Sequence, residues 1–192
     1  MSFNSAQRLE LLQLARGSIV SGLRERRRTP APQHYSAGLE IRRASFVTLR
    51  IGPALRGCCG AIEAREPIAE DVWRNAWASA FNDPRFPPLT FDEYARCTVS
   101  ISVLSELEPV PVANENELLQ QLRPGLDGLL LRAHTGQATF LPAVWKQLRD
   151  PVEFVHQLKM KAGWPADYWS ADMQVYRYTT ESFGESGEED SE

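Results

Sequence analysis

From Cys97 to Leu104 the residues alternate without a break, with Val99, Ile101 and Val103 on one side and Thr98, Ser100 and Ser102 on the other. A period of two puts each set on its own face of a pleated strand, so this segment is a sheet strand with one buried face. Its dry face needs a cover. Immediately upstream, Asp83-Pro84-Arg85-Phe86-Pro87-Pro88-Leu89 carries three prolines. Three missing backbone donors rule out regular structure there. Thr90 with Glu93 then forms a capping box for a short helix ahead of the strand.

Around this strand, helical and extended patterns mix. Leu9, Leu12, Ile19, Val20 and Leu23 trace a helical stripe that Asn4 or Ser5 caps. Gly17 and Gly22 each weaken that helix by up to about 1 kcal/mol relative to Ala, so packing must hold it. It ends in Arg24, Arg26, Arg27 and Arg28, and Thr29 to Gln33, with Pro30 and Pro32, is a connector. Leu39 to Arg43, Phe46 to Ile51 and Leu55 to Ile62 are extended, with Gly52-Pro53 as a turn. Pro67 opens a helix with Ile68, Val72, Ala76 and Ala80 on one face and Trp73 and Trp77 on its edge.

Further on, Asn114 and Glu117 start a helix that Pro124-Gly125 stops. Residues 128–133 and 138–141 form a hairpin around His134-Thr135-Gly136-Gln137. Pro142 to Leu148 is a short helix. Asp150-Pro151 with Glu153 starts another, which Gly163 ends, and Met173 to Thr180 is the last strand. There is no regular βαβ alternation and no internal repeat. The fold class is α+β, a largely antiparallel sheet flanked by helices.

The 192 residues fit one domain, or one domain with a lobe, and a chain this long buries roughly 70 % of its unfolded surface. Hydrophobic residues make up 43 % and charged ones 24 %, which excludes wholesale disorder. The net charge of −4 is unevenly spread: six acids lie from Glu181 onward, leaving 19 acids against 21 bases in the body. A folded domain over 1–183 and an acidic, solvated tail over 184–192 are expected. The nearly neutral body argues against a nucleic-acid binder, and it favours reading the arginine run as a solvated helix end over an anionic-surface or nuclear-targeting signal. No stretch has 18 apolar residues, so no membrane span is expected. Met1 to Glu10 lacks a signal-peptide core, and three cysteines, two of them adjacent, do not form a disulfide framework. A cytoplasmic setting is expected.

Chemistry concentrates in Leu55-Arg56-Gly57-Cys58-Cys59-Gly60-Ala61. Arg56 is a fixed positive fork suited to a carboxylate or phosphate. Gly57 and Gly60 allow close approach of another group, and Cys58 is a thiol that a neighbouring cation would activate. In a regular strand Cys58 and Cys59 face opposite ways, and Cys58 is the candidate for the site. The alternative is a bulged strand with inert cysteines. Asp83 and Arg85 flank Pro84 and either present themselves to a ligand or brace their own loop. His34, His134 and His156 lack metal-ligand spacing, so no metal is expected. No phosphate loop, nucleophile elbow or radical-SAM cysteine cluster occurs, and no cofactor is expected. The five tryptophans read as packing rather than as stacking platforms.

The Leu-Arg-Gly-Cys run resembles the Leu-Arg-Gly-Cys-Ile-Gly signature of the AMMECR-one domain family, named from a chromosomal region linked to Alport syndrome and midface hypoplasia. Pro67–Val72, Asp83–Leu89, Val99–Ser105, Gly128–Leu131, Thr139–Pro142 and Lys161–Gly163 look like further blocks of that family in family order. The resemblance spans about Arg8 to Phe183. Cys59 replaces an isoleucine, Ala61 a small hydroxyl residue and Ala143 a common glutamine. The resemblance implies a larger sheet-and-helix part, a smaller lobe and a cleft near the signature. It also implies an association with Memo-like and radical-SAM proteins, as in the AmmeMemoRadiSam system, without supplying a reaction.

Two functions follow as expectations. The first is an enzyme or enzyme component acting on a small anionic molecule, with Cys58 as nucleophile or soft ligand and Arg56, Gly57, Gly60, Asp83 and Arg85 as binding residues. The second is a non-catalytic binding or adaptor domain that holds a protein partner at an apolar cleft or near Pro84 to Leu89.

Overall fold

In the computed structural model, which describes residues 2–185, the alternating segment is strand β3 (Cys97–Leu104), with Cys97, Val99, Ile101 and Val103 buried. It pairs antiparallel with β1 (Ser45–Ile51), and β1 pairs antiparallel with β2 (Ala54–Gly60). The sheet order is β2-β1-β3-β8, where β8 is Thr180–Gly184. Helices α1 (Ser5–Glu25) and α2 (Ile68–Phe81) and the single turn α3 (Phe91–Tyr94) complete this unit. It comprises the residues up to Leu104 and those from Glu181 onward.

Local chemistry explains the helices. The Asn4 side chain accepts from the Gln7 N–H, and the Gln7 side chain accepts from the Asn4 N–H. The glycines of α1 face α2, where a Cβ at Gly17 or Gly22 would meet Trp73 or Phe81 and Trp77. At its other end Arg26 adopts φ +54°, a left-handed position that Gly usually fills. Helix α2 starts without a side-chain cap. Its first N–H groups are taken by carbonyls of the preceding segment, Ile68 by Ile41 and Ala69 by Leu39. This corrects the expectation of a strand over Leu39 to Arg43: those carbonyls cap α2, and only Arg42 makes an isolated bridge, to Pro67. Asp71, fully buried, fastens α2 to β1 by accepting from the Ser45 N–H (2.8 Å), the Ser45 hydroxyl (2.6 Å) and Asn75 (2.8 Å).

The second unit, Ser105–Thr180, carries its own sheet in the order β4-β7-β5-β6: Glu108–Pro109, Gln174–Tyr178, Gly128–Ala133 and Gly136–Phe140. Its pairings are antiparallel. Helix α4 (Glu115–Gln121) has the Asn114 cap, and α5 (Pro151–Lys161) is capped by Asp150, which accepts from Val152 and Glu153. The segment after Leu141 is a 3-10 turn (Pro142–Lys146) rather than an α-helix. Trp145 stacks on Phe154 at 3.8 Å, and its N–H reaches the Asp127 carbonyl. Both units are helix-and-sheet structures, and the fold is α+β.

The strand β8 was not expected, and it alters the reading of the acidic end. Gly184 belongs to the strand. Glu181 bonds Arg8 and the Phe3 N–H, while Glu185 bonds Arg16 and the Val99 N–H. Of the six acids from Glu181 onward, Glu181 and Glu185 are therefore fixed within the folded unit. Residues 186–192 of that expected tail lie outside the described residues. No helix among the described residues is long and apolar enough to cross a membrane.

Candidate functional site

The Arg-Gly-Cys-Cys-Gly run is the outer half of edge strand β2, and a bulge decides where its side chains go. Opposite β1, Gly57 pairs with Leu49 and Leu55 with Arg50, so Arg56 is the extra residue. The extra residue puts Arg56 and Gly57 together on the buried side, as their adjacent burial records. Regular alternation resumes beyond, with Cys58 opposite Thr48 and Cys59 opposite the buried Val47. Cys58 and Cys59 therefore face opposite ways as expected, but Arg56 does not share the face of Cys58.

Arg56 is 7 % exposed and is held from within the chain. Its Nε and Nη2 donate to the two oxygens of Glu93 at 2.8 and 3.0 Å, and Nη2 also donates to the Pro87 carbonyl at 2.8 Å. The guanidinium lies 5.6 Å from the Phe86 ring centroid. Glu93 meanwhile closes the capping box of α3 with Thr90. Arg56, and secondarily the Thr90 bonds, pull the Glu93 carboxyl down to about 2. Arg56 is thus ion-paired within its own chain, while its Nη1 is buried without a hydrogen-bond partner.

The loop after α2 covers the free edge of β2. Asp83 accepts from the Cys58 N–H at 2.9 Å and from the Arg85 Nη2 at 2.7 Å, and Arg85 Nη2 donates to the Cys58 carbonyl at 3.2 Å. The pair binds the Cys58 peptide as a neighbouring strand would, which blocks edge pairing there. The Arg85 bonds are the chief reason that the Asp83 carboxyl falls to about 2. Asp83 is buried, whereas 53 % of the Arg85 side chain is exposed.

The two candidate glycines are packing positions. A Cβ on Gly57 would lie 2.0 Å from the Ser79 carbonyl oxygen, and one on Gly60 would lie 2.3 Å from the Phe46 ring and 2.5 Å from the Ser45 carbonyl. No motif singles out Ser79 in the sequence, since a serine on a helix is common. Its hydroxyl accepts from the Cys59 N–H at 2.8 Å and lies 2.7 Å from the Val47 carbonyl, bridging β2 and β1.

The Cys58 thiol is half-buried and accepts from the Thr48 hydroxyl at 3.4 Å. Burial, followed by the Asp83 charge, pushes the Cys59 thiol up, and burial does the same at Cys97. None of the three cysteines is in a disulfide. The histidines serve elsewhere: His134 pairs with Asp172 and His156 with Glu115. Among the described residues, no group of three or more His, Cys, Asp or Glu is placed to hold a metal ion.

A different feature of the same unit is open. A groove of about 580 Å³ is lined by Leu23 and Arg26 at the end of α1, Trp77 and Phe81 of α2, and the segment Pro88–Phe91. Phe91 is 56 % exposed at its side. Across the end of α1 lies a second hollow of about 480 Å³, lined by Arg28, the proline connector, Tyr35, Trp73 and Glu70. The Trp73 N–H is fixed on the Thr29 carbonyl at 2.9 Å.

The fold and the site together define an α+β protein of two units, with a bulged Arg-Gly-Cys edge strand clamped by an Asp-Pro-Arg loop. Residues 12–183 match the AMMECR1 family model, and the chain belongs to that family. A relative from Methanothermobacter thermautotrophicus is 33 % identical over 179 residues, covering 92 % of this chain and 93 % of that protein. One from Thermococcus gammatolerans is 36 % identical over 184 residues, covering 91 % and 88 %. The crystal structure of an uncharacterized protein from Pyrococcus horikoshii superposes with a TM-score of 0.87 at 31 % identity, covering 95 % of this chain and 93 % of that one.

Proposed function

We propose that this chain is a non-catalytic binding domain that holds a protein partner in the groove between the end of α1, α2 and Pro88–Phe91. The observation that carries this reading is the exposed Phe91 beside an unfilled apolar groove. An exposed aromatic next to a groove of other apolar side chains is the anatomy of an interface anchor. The arginine of the signature run counts for the same side: Arg56 is paired with Glu93 inside the chain. The Memo-like and radical-SAM proteins that the family resemblance implies are the first partners to test.

A photo-reactive phenylalanine analogue at position 91, used in cells of the native host, tests this reading. A discrete protein adduct from position 91 is expected, absent when the same analogue stands at the exposed Met160. Identical adducts from both positions, or none from 91, would overturn it.

A second reading keeps the small-anion site but moves its cation. The half-exposed Arg85 guanidinium, bonded to the Cys58 carbonyl, stands beside a half-buried thiol. An anion held there would shield Cys58 from a thiol probe, and Arg85→Ala would abolish the shielding. Labelling of Cys58 unaffected by small carboxylates and phosphates would remove this reading.

A further inference from the structure

We infer that the groove takes an acidic peptide segment with a large apolar anchor, the anchor seated against Phe91 and the acids lying along the arginine-rich end of α1. The inference rests on the binding-domain reading above and names the chemistry of the partner.

Three observations carry it. The groove wall is apolar, formed by Leu23, Trp77, Phe81, Leu89 and Phe91, and its volume suits one or two large side chains rather than a phosphate backbone. Arg26 lines the groove, and Arg24, Arg27 and Arg28, its neighbours in sequence, are all exposed. Arg28 lines the neighbouring hollow, so the basic run lies between the two. Glu66 and Glu70 share the hollow with Arg28, Glu66 being paired with Arg74. The groove itself has Arg26 and no carboxylate in its lining, so the positive charge stands on the groove side. Finally, Arg26 is the one non-glycine residue with positive φ among the described residues. Glycine holds that left-handed conformation more easily than arginine does. A glycine there would relieve the strain and lose the rim cation.

The occupant must bring both features. An acidic segment without an anchor leaves the apolar wall wet, and an apolar segment without acids leaves the Arg26 charge at the groove unmatched. The chain's own end, Ser186 to Glu192, has four acids and no apolar residue, so it does not qualify. A single-stranded nucleic acid would match the charge and would stack its bases on exposed aromatics, so it stands as an outcome of the test.

The test is selection from a random peptide library of about twelve residues displayed against the full chain. Enriched peptides should combine Phe, Trp or Leu with several Asp or Glu. Their binding should weaken at least about tenfold in Arg26→Glu/Arg27→Glu and fall with rising salt. Phe91→Ser should also abolish binding, while both variants keep the wild-type melting temperature. Enriched peptides that need Phe91 but lack acidic bias would overturn the inference and leave the binding-domain reading standing. Peptides indifferent to Phe91, or no enrichment, would sink both. Tighter binding of an oligonucleotide or anionic vesicle than of any selected peptide, or peptide binding only to a chain ending at Glu185, would assign the rim to another occupant and overturn the inference.

Discussion

Gly57→Ala isolates the contact on which the β2–α2 interface depends. The new Cβ would sit 2.0 Å from the Ser79 carbonyl oxygen and 3.0 Å from its carbonyl carbon. Ordinary contact begins near about 3.4 Å, so the two elements must separate by more than about 1 Å. Both colliding groups are tied to backbone, and no rotamer change relieves them. Overpacking of this kind costs about 1–3 kcal/mol. Separation also strains the Cys59 N–H bond to Ser79, worth about 1 kcal/mol. The lower entropy of the unfolded alanine chain returns about 0.4–1 kcal/mol. A net loss of about 1–3.5 kcal/mol should lower the melting temperature by at least roughly 4 °C in a unit of this size. Gly52→Ala is the control, because Gly52 has φ +56° and nothing within 4 Å of its Cβ position. It carries backbone strain without collision and should lose only about 1–2 kcal/mol. Calorimetry of the three proteins decides the matter. A Gly57→Ala protein melting within about 3 °C of wild type would refute the claim that this glycine exists for close approach.

Thiol labelling of the native protein should modify Cys58 first, then Cys59 and last Cys97, since burial raises the latter two thiols and Cys97 is 5 % exposed; mass spectrometry of tryptic peptides reads the order, and Cys97 reacting first would contradict the packing. Acid titration should show a loss of stability as pH falls from about 4 toward about 2. Asp83 and Glu93 have folded values near 2, below their ordinary 3.8 and 4.5, so their contribution is present above the ordinary values and vanishes as they protonate. Asp83→Asn should flatten that limb, and an unchanged acid midpoint in chemical denaturation would deny the pairing. Glu185→Ala should cost about 1–2 kcal/mol by leaving Arg16 and the Val99 N–H without this partner; a neutral result would return Glu185 to the solvated end of the chain.

Much of the scaffold was legible because its causes are local. The period of two over Cys97–Leu104, the boxes at Thr90 and Asn114 and the Asp150-Pro151 start are each decided within a few residues of chain. The missed elements have non-local causes. Leu39 to Arg43 has strand-forming residues, but the free N–H groups at the start of α2 claim its carbonyls. The last strand hid behind its acids, because Glu181 and Glu185 look solvated until Arg8 and Arg16 are placed beside them.

The amino-acid order alone determined the α+β class, the helix caps, the buried face of β3 and the opposite facing of Cys58 and Cys59, since each follows from side-chain period or hydrogen bonding between near neighbours. Only tertiary structure decided what the signature run does. A bulge is a property of two paired strands, and a one-residue shift against β1 carried Arg56 to the buried side, away from Cys58 and onto Glu93. The groove at Phe91 arose in the same way, from the end of α1 meeting the end of α2 and Pro88–Phe91, about fifty residues or more further along the chain.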